Sequence, residues 1–219
     1  SRVMTVASPL LALLLTIVMG IALFIAFGKD PLRGLQMFFY EPVKNLAALS
    51  ELSIKATPLL LIALGLAICF RSNVLNIGAE GQFVLGAICA GYAAMQAGPE
   101  TAWMGRWIVA PILLAGILGG VVWSGIVALL RDRLNANEIL VSLMLVYVAE
   151  LLLSFLVFGP WKDPKGYNFP QTITFLATTK APRLVEGLRA NIGVLIAAAI
   201  TVACWIFQSR TFRGFQLLV

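Results

Sequence analysis

The chain has 219 residues, of which 60% are hydrophobic and only 12% are charged; its mean hydropathy is +0.94 and its formal net charge is +6. Soluble domains carry about 25% charged residues, so this composition excludes a soluble globular domain and predicts an all-α, polytopic transmembrane helical bundle. The chain has no histidine, which removes the usual proton shuttle, the commonest metal ligand and the histidine-dependent nucleophile pairs. We therefore expect no enzyme activity, no metal and no cofactor.

The basic residues stand singly at the ends of apolar segments, where lysine and arginine anchor to lipid head groups. Because no run of them forms a basic stripe, the positive charge predicts contact with membrane lipids and no nucleic-acid partner. The three cysteines, Cys69, Cys89 and Cys204, lie in apolar runs without metal-site spacing, so we expect inert thiols.

The first predicted span opens at Ser8-Pro9, a serine cap followed by proline, and continues to Phe27. Residues 28–55 are mixed, with an aromatic cluster at Phe38-Phe39-Tyr40, and predict one or two interfacial helices outside the bilayer core. Thr57-Pro58 opens the second span in the same way as Ser8-Pro9.

A polar stretch from Arg71 to Gly86 separates two apolar runs, Ala56 to Phe70 and Phe83 to Ala97. Each run has only about 15 residues, which is roughly 22 Å of helix against about 30 Å of hydrocarbon. The second and third spans are therefore expected to be discontinuous, with polar residues drawn into the membrane. Short hydrophobic segments interrupted by glycine and polar residues are typical of a transporter's substrate path.

The fourth span, Trp107 to Leu130, is expected to kink near Pro111, and the fifth runs from the Asn135 region to Phe158. Residues 159–190 form a long polar connection with four prolines, which predicts extended structure and turns. Asn191 to Phe207 is the sixth span. With the N-terminus inside, the short inner turns carry only arginine, which favours that orientation.

Two spans carry small residues at intervals of four. The third has Gln82, Gly86, Ala90 and Ala94, and the fourth has Gly116, Gly120, Ser124 and Ala128. Such stripes allow helices to approach closely, so packing explains them without any ligand.

Three polar residues, Asn73, Asn76 and Glu80, are three and four apart and share one face if that stretch is helical. A carboxylate and two amides beside a membrane cavity could hydrogen-bond a polyhydroxyl or nucleobase solute. In the alternative, Glu80 pairs with Arg71 or caps a helix end.

Asn137 and Glu138 begin the fifth span, and Glu138 is most simply the partner of Arg131 or Arg133 in an interfacial ion pair. Glu150, further along, either faces a polar cavity or lies shallower than the count suggests. No glycine-rich phosphate loop ending in Gly-Lys-Ser/Thr is present, so this chain does not hydrolyse ATP by itself.

Asn76-Ile-Gly-Ala-Glu-Gly-Gln82 resembles the signature of permease subunits of ABC importers for nucleosides and simple sugars, relatives of the ribose and branched-chain amino acid permeases. Three further stretches resemble the family in the same order. These are Lys55-Ala-Thr-Pro-Leu-Leu-Leu61, Asn137-Glu-Ile-Leu-Val-Ser-Leu-Met-Leu145, and Gly159-Pro-Trp-Lys-Asp-Pro164 followed by Pro170-Gln-Thr172. One departure is Val146, where many members have asparagine before the tyrosine.

The resemblance implies a bacterial cytoplasmic (inner) membrane complex with an ATPase subunit, a second permease subunit and an extracytoplasmic solute-binding protein. Solute would move by alternating access through an interface cavity. The expected substrate-path residues are Asn73, Asn76, Glu80, Gln82, Trp123, Asn137, Glu138 and Tyr147, with Trp123 or Tyr147 stacking on a base.

The expected ATPase-coupling side comprises Arg210, Thr211, Arg213 and Gly214. In the family this stretch leads into a cytoplasmic coupling helix and further spans, so residues 1–219 are expected to be one permease domain, truncated at its C-terminus.

Other functions fit the same composition. A channel or secondary transporter without an ATPase needs a relay of intramembrane ionisable residues, for which only Glu80 and Glu150 are available. A non-coupled truncated permease or a membrane scaffold is another alternative. For the solute, the Asn76 to Gln82 motif favours a nucleoside first and a simple sugar second.

Overall fold

A computed structural model describes residues 2–167 and 169–216. These residues form helices and no β-strand, which confirms the predicted all-α fold class. The α-helices are α1 (Arg2–Ala26), α2 (Pro31–Leu35), α3 (Leu46–Arg71), α4 (Ala79–Met95), α5 (Val109–Leu134), α6 (Glu138–Phe158), α7 (Ile192–Arg210) and α8 (Phe212–Gln216). A π-helix at Gln36–Tyr40 and 3-10 segments at Glu41–Val43, Pro99–Ile108 and Ala177–Thr179 lie between them.

In the described part of the chain, five helical segments are long and apolar enough to cross a membrane. They are Ala7–Ala26, Leu46–Arg71, Trp103–Leu134, Glu138–Phe158 and Ile192–Arg210. These five match the first, second, fourth, fifth and sixth predicted spans. The third predicted span is α4, whose 17 residues give roughly 25 Å of helix.

The two proline-based helix starts are wrong. α1 runs through Pro9 and α3 runs through Pro58. α3 starts eleven residues before Thr57 because Asn45 caps it: the Asn45 Oδ1 atom accepts a 2.7 Å hydrogen bond from the Ala48 amide. The second span is therefore continuous and gains its length from residues 46–55, which were expected to be interfacial. The break in the chain lies after it, between α3 and α4.

The kink predicted at Pro111 lies instead at Gly105, whose φ of 51° and ψ of −127° interrupt the 3-10 segment before α5. Pro111 falls in the first turn of α5, where proline is tolerated. Apart from the 3-10 segment at Ala177–Thr179, residues 159–167 and 169–190 form turns and extended backbone as predicted, with isolated bridges joining Lys162 to Thr172 and Arg183 to Asn191.

The chain divides into two compact units, Ser1–Ala56 with Val185–Ala190, and Thr57–Leu184 with Asn191–Val219. In the first unit, the buried Ser50 hydroxyl accepts hydrogen bonds from the Arg189 and Ala190 amides at 2.8 and 2.6 Å. The Arg189 guanidinium also pairs with Glu51 at 3.0 Å. These contacts attach the end of the long connection to the start of α3.

In the second unit, α4 packs closely against α5 along the two small-residue stripes. A Cβ atom built on Gly86 would lie 2.9 Å from the Gly116 carbonyl oxygen, and one on Gly120 would lie 3.4 Å from the Gln82 carbonyl oxygen. Gly119, outside the predicted stripe, also faces α4, where a Cβ would come within 2.7 Å of the Cys89 sulfur. The structure therefore favours the packing interpretation for the glycines of both stripes.

Candidate functional site

The polar stretch after α3 is an irregular loop, and it starts in a left-handed turn. Asn73 has φ of 58°, and the next amide, that of Val74, donates a 3.0 Å hydrogen bond back to the Cys69 carbonyl. This is the αL termination common at helix C-termini, a conformation that asparagine tolerates. Helix α4 starts only at Ala79, so the expectation that Asn73, Asn76 and Glu80 share a helical face is wrong.

Helix α6 supplies acceptors for the backbone of this loop. The Leu75 amide donates to Glu138 Oε1 and the Ile77 amide to Ser142 Oγ, each at 3.4 Å. Glu138 and Ser142 are one helical turn apart, and Leu75 and Ile77 are alternate residues of an extended segment, so both pairs meet on one side. Irregular backbone at membrane depth needs such partners because lipid offers none.

Asn76 connects the loop to α4. Its Oδ1 atom accepts a 2.9 Å hydrogen bond from the Gly78 amide and a 3.4 Å hydrogen bond from the Gln82 side-chain amide. Gly78 itself lies against α6: a Cβ there would come within 2.8 Å of the Ser142 Cβ. The motif around Asn76 and Gln82 is therefore fixed by contacts on two sides.

An ion pair joins the end of α5 to the start of α6. Arg131 Nε lies 3.1 Å from Glu138 Oε2, which confirms the predicted pair for Arg131. Arg133 lies instead 3.9 Å from Asp132, with both side chains largely exposed. Glu138 thus accepts from Arg131 through one carboxylate oxygen and from the Leu75 amide through the other.

A cavity of about 660 Å³, the main cavity, lies where these elements meet. Its lining residues are Cys69, Val74, Leu75, Asn76, Gln82, Val121, Ser124, Gly125, Val127, Ala128, Arg131, Asp132, Asn135 and Glu138. The lining therefore combines amide groups with apolar residues, and α5 contributes Ser124, Arg131 and Asp132 beside its apolar positions. This size and mixture suit a small polar molecule.

A second cavity of about 450 Å³ continues from the first along α3. Both are lined by Cys69, Asn76 and Gln82, and the second extends to Leu61 and to Ile117 of α5. A third space, of about 410 Å³, lies at the turn between α5 and α6.

The structure brings three of the predicted path residues, Asn76, Gln82 and Glu138, together around the main cavity. Asn137 lines the neighbouring space at the α5–α6 turn and caps α6, where its Oδ1 accepts from the Ile139 amide at 3.0 Å. Asn73 and Glu80 are exposed and do not line the main cavity. Glu80 lies in the first turn of α4, and among the described residues it forms no ion pair, with Arg71 or otherwise.

The two aromatic candidates also lie outside the main cavity's lining. Trp123 packs where α4, α5 and α6 meet, with its Nε1 atom 3.2 Å from a Cβ built on Gly81. That nitrogen is buried and donates no hydrogen bond within the described part of the chain. Tyr147 is exposed on another face of α6. Stacking of a base on either ring stays a prediction.

Sequence reasoning missed Cys69, Arg131, Asp132 and Asn135 as lining residues. A signal for part of this set was present: the stripe Gly116, Gly120, Ser124 and Ala128 continues one turn further to Asp132. The glycines of that stripe contact α4, whereas Ser124, Ala128 and Asp132 line the cavity. The change from glycine to larger and polar residues marks where the two helices stop touching.

Residues 48–219 match the family described as the permease component of the branched-chain amino acid transport system. The chain belongs to this permease family. With its apolar spans, the permease is a multi-pass inner-membrane protein.

The permease is 33% identical over 221 residues to the glucose ABC transporter permease protein TsgB13 of Haloferax volcanii, covering 96% of this chain and 57% of that protein. It is 24% identical to the guanosine ABC transporter permease protein NupP of Bacillus subtilis, with coverage of 95% and 59%. It is also 24% identical to the nucleoside ABC transporter permease protein NupB of Lactococcus lactis, with coverage of 95% and 58%. The chain thus spans just under three fifths of these relatives. No solved structure shows a significant match.

Val146, the departure from the family pattern, is buried in the contact between α6 and α4. Its Cα atom lies 3.0 Å from a Cβ built on Gly81, and it does not line the main cavity. In this permease, Val146 therefore packs between α6 and α4.

The segment expected to face the ATPase begins where α7 ends at Arg210. Thr211 Oγ1 donates to the Phe207 carbonyl and accepts a 3.0 Å hydrogen bond from the Gly214 amide, which turns the chain into the short helix α8. Gly214 is buried, and a Cβ there would collide with the Phe207 carbonyl oxygen. The side chain of Arg213 lies outside what the structure describes.

Proposed function

We propose that this chain is a transmembrane permease subunit of an ATP-binding-cassette importer, and that it moves a small uncharged polar solute, a simple sugar or a nucleoside. The supporting observation is the cavity of about 660 Å³ at the α3–α4 break, whose lining combines amide groups, a hydroxyl and apolar side chains. The relatives support the class, because their names assign glucose, guanosine and nucleoside transport to them.

The charges around the cavity disfavour an anionic solute. Arg131 is already paired with Glu138, and Asp132 adds a further negative charge. An anionic solute would meet a net negative lining, while hydroxyl and amide groups can hydrogen-bond to Asn76, Gln82 and Ser124.

The proposal includes three protein partners: an ATPase subunit, a second permease subunit and an extracytoplasmic solute-binding protein. The ATPase would dock at the side that holds Arg210, Thr211, Arg213 and Gly214. ATP binding would rock the permease subunits, and solute would pass along the cavity that Asn76, Gln82 and Glu138 line.

The experiment is uptake of labelled glucose, ribose, guanosine and adenosine by proteoliposomes that hold the assembled complex, with the variant Ala128→Phe. Ala128 lines the cavity, so a phenyl group there should fill it and reduce uptake at least tenfold for the transported solute. The matched control is Leu129→Phe, which adds a similar ring on an exposed face outside the cavity. Uptake that needs no ATP, or equal uptake by both variants, would contradict the proposal.

A further inference from the structure

The side-chain amides of Asn76 and Gln82 lie at the junction of two cavities. Both residues line the main cavity of about 660 Å³ and the second cavity of about 450 Å³ along α3. Cys69 is the third residue that the two linings share. A solute that moves between the two cavities therefore passes these three side chains.

A backbone donor fixes which way round the two amides lie. The Gly78 amide is 2.9 Å from the Asn76 side chain and can only donate, so the Asn76 atom that faces it is the acceptor Oδ1. The Gln82 side chain is 3.4 Å from the same oxygen, so the Gln82 atom there is the donor Nε2. The carbonyl oxygen Oε1 of Gln82 therefore occupies the other branch of its amide, away from this contact.

The Gln82 Oε1 atom is available to a solute. Within the described part of the chain it accepts no hydrogen bond. It is not enclosed by protein either, because Trp123 Nε1 is the buried side-chain polar atom without a partner among the described residues. Oε1 therefore reaches the space of the cavities that Gln82 lines. A carbonyl oxygen accepts hydrogen bonds and donates none, so a polar solute must offer it a donor.

We propose that Gln82 selects solutes by their hydrogen-bond donors, and that Asn76 is the positioning residue that holds Gln82 Oε1 towards the solute. The inference rests on the proposed function, because it gives two residues of the same cavity a role in choosing the solute. A hydroxyl group of a sugar or an N–H group of a nucleobase satisfies this acceptor. A solute without a donor at that point leaves Oε1 without a partner in place of water, which lowers its affinity.

The contact between the two amides is tested first, without solute. Gln82→Met keeps the length of the side chain and removes both polar atoms. We expect it to lower the folding equilibrium constant about threefold, and to have no such effect where Asn76→Leu has already removed the shared oxygen. Unfolding in a denaturing detergent titration measures this double-mutant cycle. Equal effects of Gln82→Met in the two backgrounds would exclude the positioning role of Asn76.

Discrimination between solutes tests the acceptor. Glucose and guanosine are each compared with analogues in which one hydroxyl is replaced by fluorine or one N–H is methylated. Affinity is measured as the concentration that halves maleimide labelling of Cys69 in the assembled complex, with Cys89 and Cys204 replaced by serine. One analogue of the solute that binds should bind about fivefold to tenfold more weakly, because it cannot donate to Gln82. Gln82→Met should reduce this difference to less than twofold.

Gln96→Met is the matched control, because it makes the same change at the other end of α4, outside both cavities. It should leave the discrimination unchanged. Asn76→Leu should weaken the discrimination severalfold, and Asn76→Asp, which keeps the acceptor oxygen, should restore it. A purely structural role of Asn76 would instead change the affinity for every analogue by the same factor.

Two results would overturn the inference alone. They are discrimination that persists in Gln82→Met, and equal affinity of every analogue and its parent solute in the permease with Gln82. In both cases the solute still protects Cys69, so the proposed function stands. Protection by neither glucose nor guanosine would instead contradict the proposed function, and the role of Gln82 would fall with it.

Discussion

The two ends of the α4–α5 pair differ in how closely the helices approach each other. At one end, Gly86 and Gly116 bring the two backbones together with no room for a side chain. At the other end, Gln82 on α4 and Ser124 and Arg131 on α5 face a cavity instead of each other.

The difference separates a closely packed end of the helix pair from an end that leaves a cavity. Dispersion between close backbones stabilises the glycine end, and any added atom must displace backbone. The cavity end depends on a few hydrogen bonds, in which Glu138 and Ser142 of α6 hold the α3–α4 loop. Substitutions should therefore affect stability most at the first end and transport most at the second.

The largest effect is expected for Gly86→Ala. A methyl group would lie 2.9 Å from the Gly116 carbonyl oxygen, so the helices must separate, at a cost of about 1–3 kcal/mol in the free energy of unfolding. Gly91→Ala on the same helix is the control, because a Cβ there meets Phe175 and Trp161 at 3.7 and 3.8 Å, which is ordinary contact. Unfolding in a denaturing detergent titration measures both. Equal stability of the two variants would contradict close packing at Gly86.

The second-largest effect is expected for Glu138→Ala. It removes the partner of Arg131 and the acceptor of the Leu75 amide together, and we expect a loss of about 1–2 kcal/mol in stability and reduced uptake. Arg133→Ala is the control, since its 3.9 Å contact with Asp132 is largely exposed and should contribute less than about 0.5 kcal/mol. A larger loss from Arg133→Ala would show that the cavity end is not organised around Glu138.

Ser142→Ala isolates one of the two contacts from α6 to the loop. The Ile77 amide loses its acceptor, which should cost about 1 kcal/mol and increase hydrogen exchange of residues 75–78. Mass-resolved hydrogen exchange measures this segment directly. Unchanged exchange there would mean that the serine does not hold the loop.

The smallest effect is expected for Glu80→Gln. Glu80 is exposed and outside the cavity, so its loss should change uptake less than twofold through the helix dipole alone. Gln82→Ala, two residues along, removes a lining group and the hydrogen bond to Asn76, and it should reduce uptake severalfold. A larger loss of uptake from Glu80→Gln than from Gln82→Ala would show that Glu80 lies on the solute route.

Much of this fold was predictable because the length of an apolar run and the spacing of glycines are local features of the sequence. The predictions were correct for the spans that begin near Trp107, Glu138 and Asn191, and for the packing at Gly86 and Gly116. The start of α3 was not predictable from Thr57-Pro58, since Asn45 provides a cap that proline preference does not reveal. The left-handed turn at Asn73 was missed for a similar reason, because the αL ending depends on backbone hydrogen bonds.

The lining of the main cavity was predicted in part. Asn76, Gln82 and Glu138 were expected, and they meet although Asn76 and Glu138 are 62 residues apart in sequence. Arg131 was expected only as an ion-pair partner, and Asn135 not at all, because lining a cavity depends on how α5 turns into α6. Trp123 and Tyr147 were predicted to contact the solute because aromatic rings can stack on a base. Whether they face the cavity depends on the rotation of each helix about its axis, which composition does not specify.

Protection of Cys69 by solute tests the central claim most directly. Cys69 lines the main cavity. In a variant in which Cys89 and Cys204 are replaced by serine, a thiol reagent labels Cys69 and so reports on this cavity. Labelling of the assembled complex by a charged maleimide should slow severalfold when the transported sugar or nucleoside is added, and should not change with a solute that is not transported. A labelling rate at saturating transported solute equal to the rate without it would contradict the assignment of this cavity to the solute route.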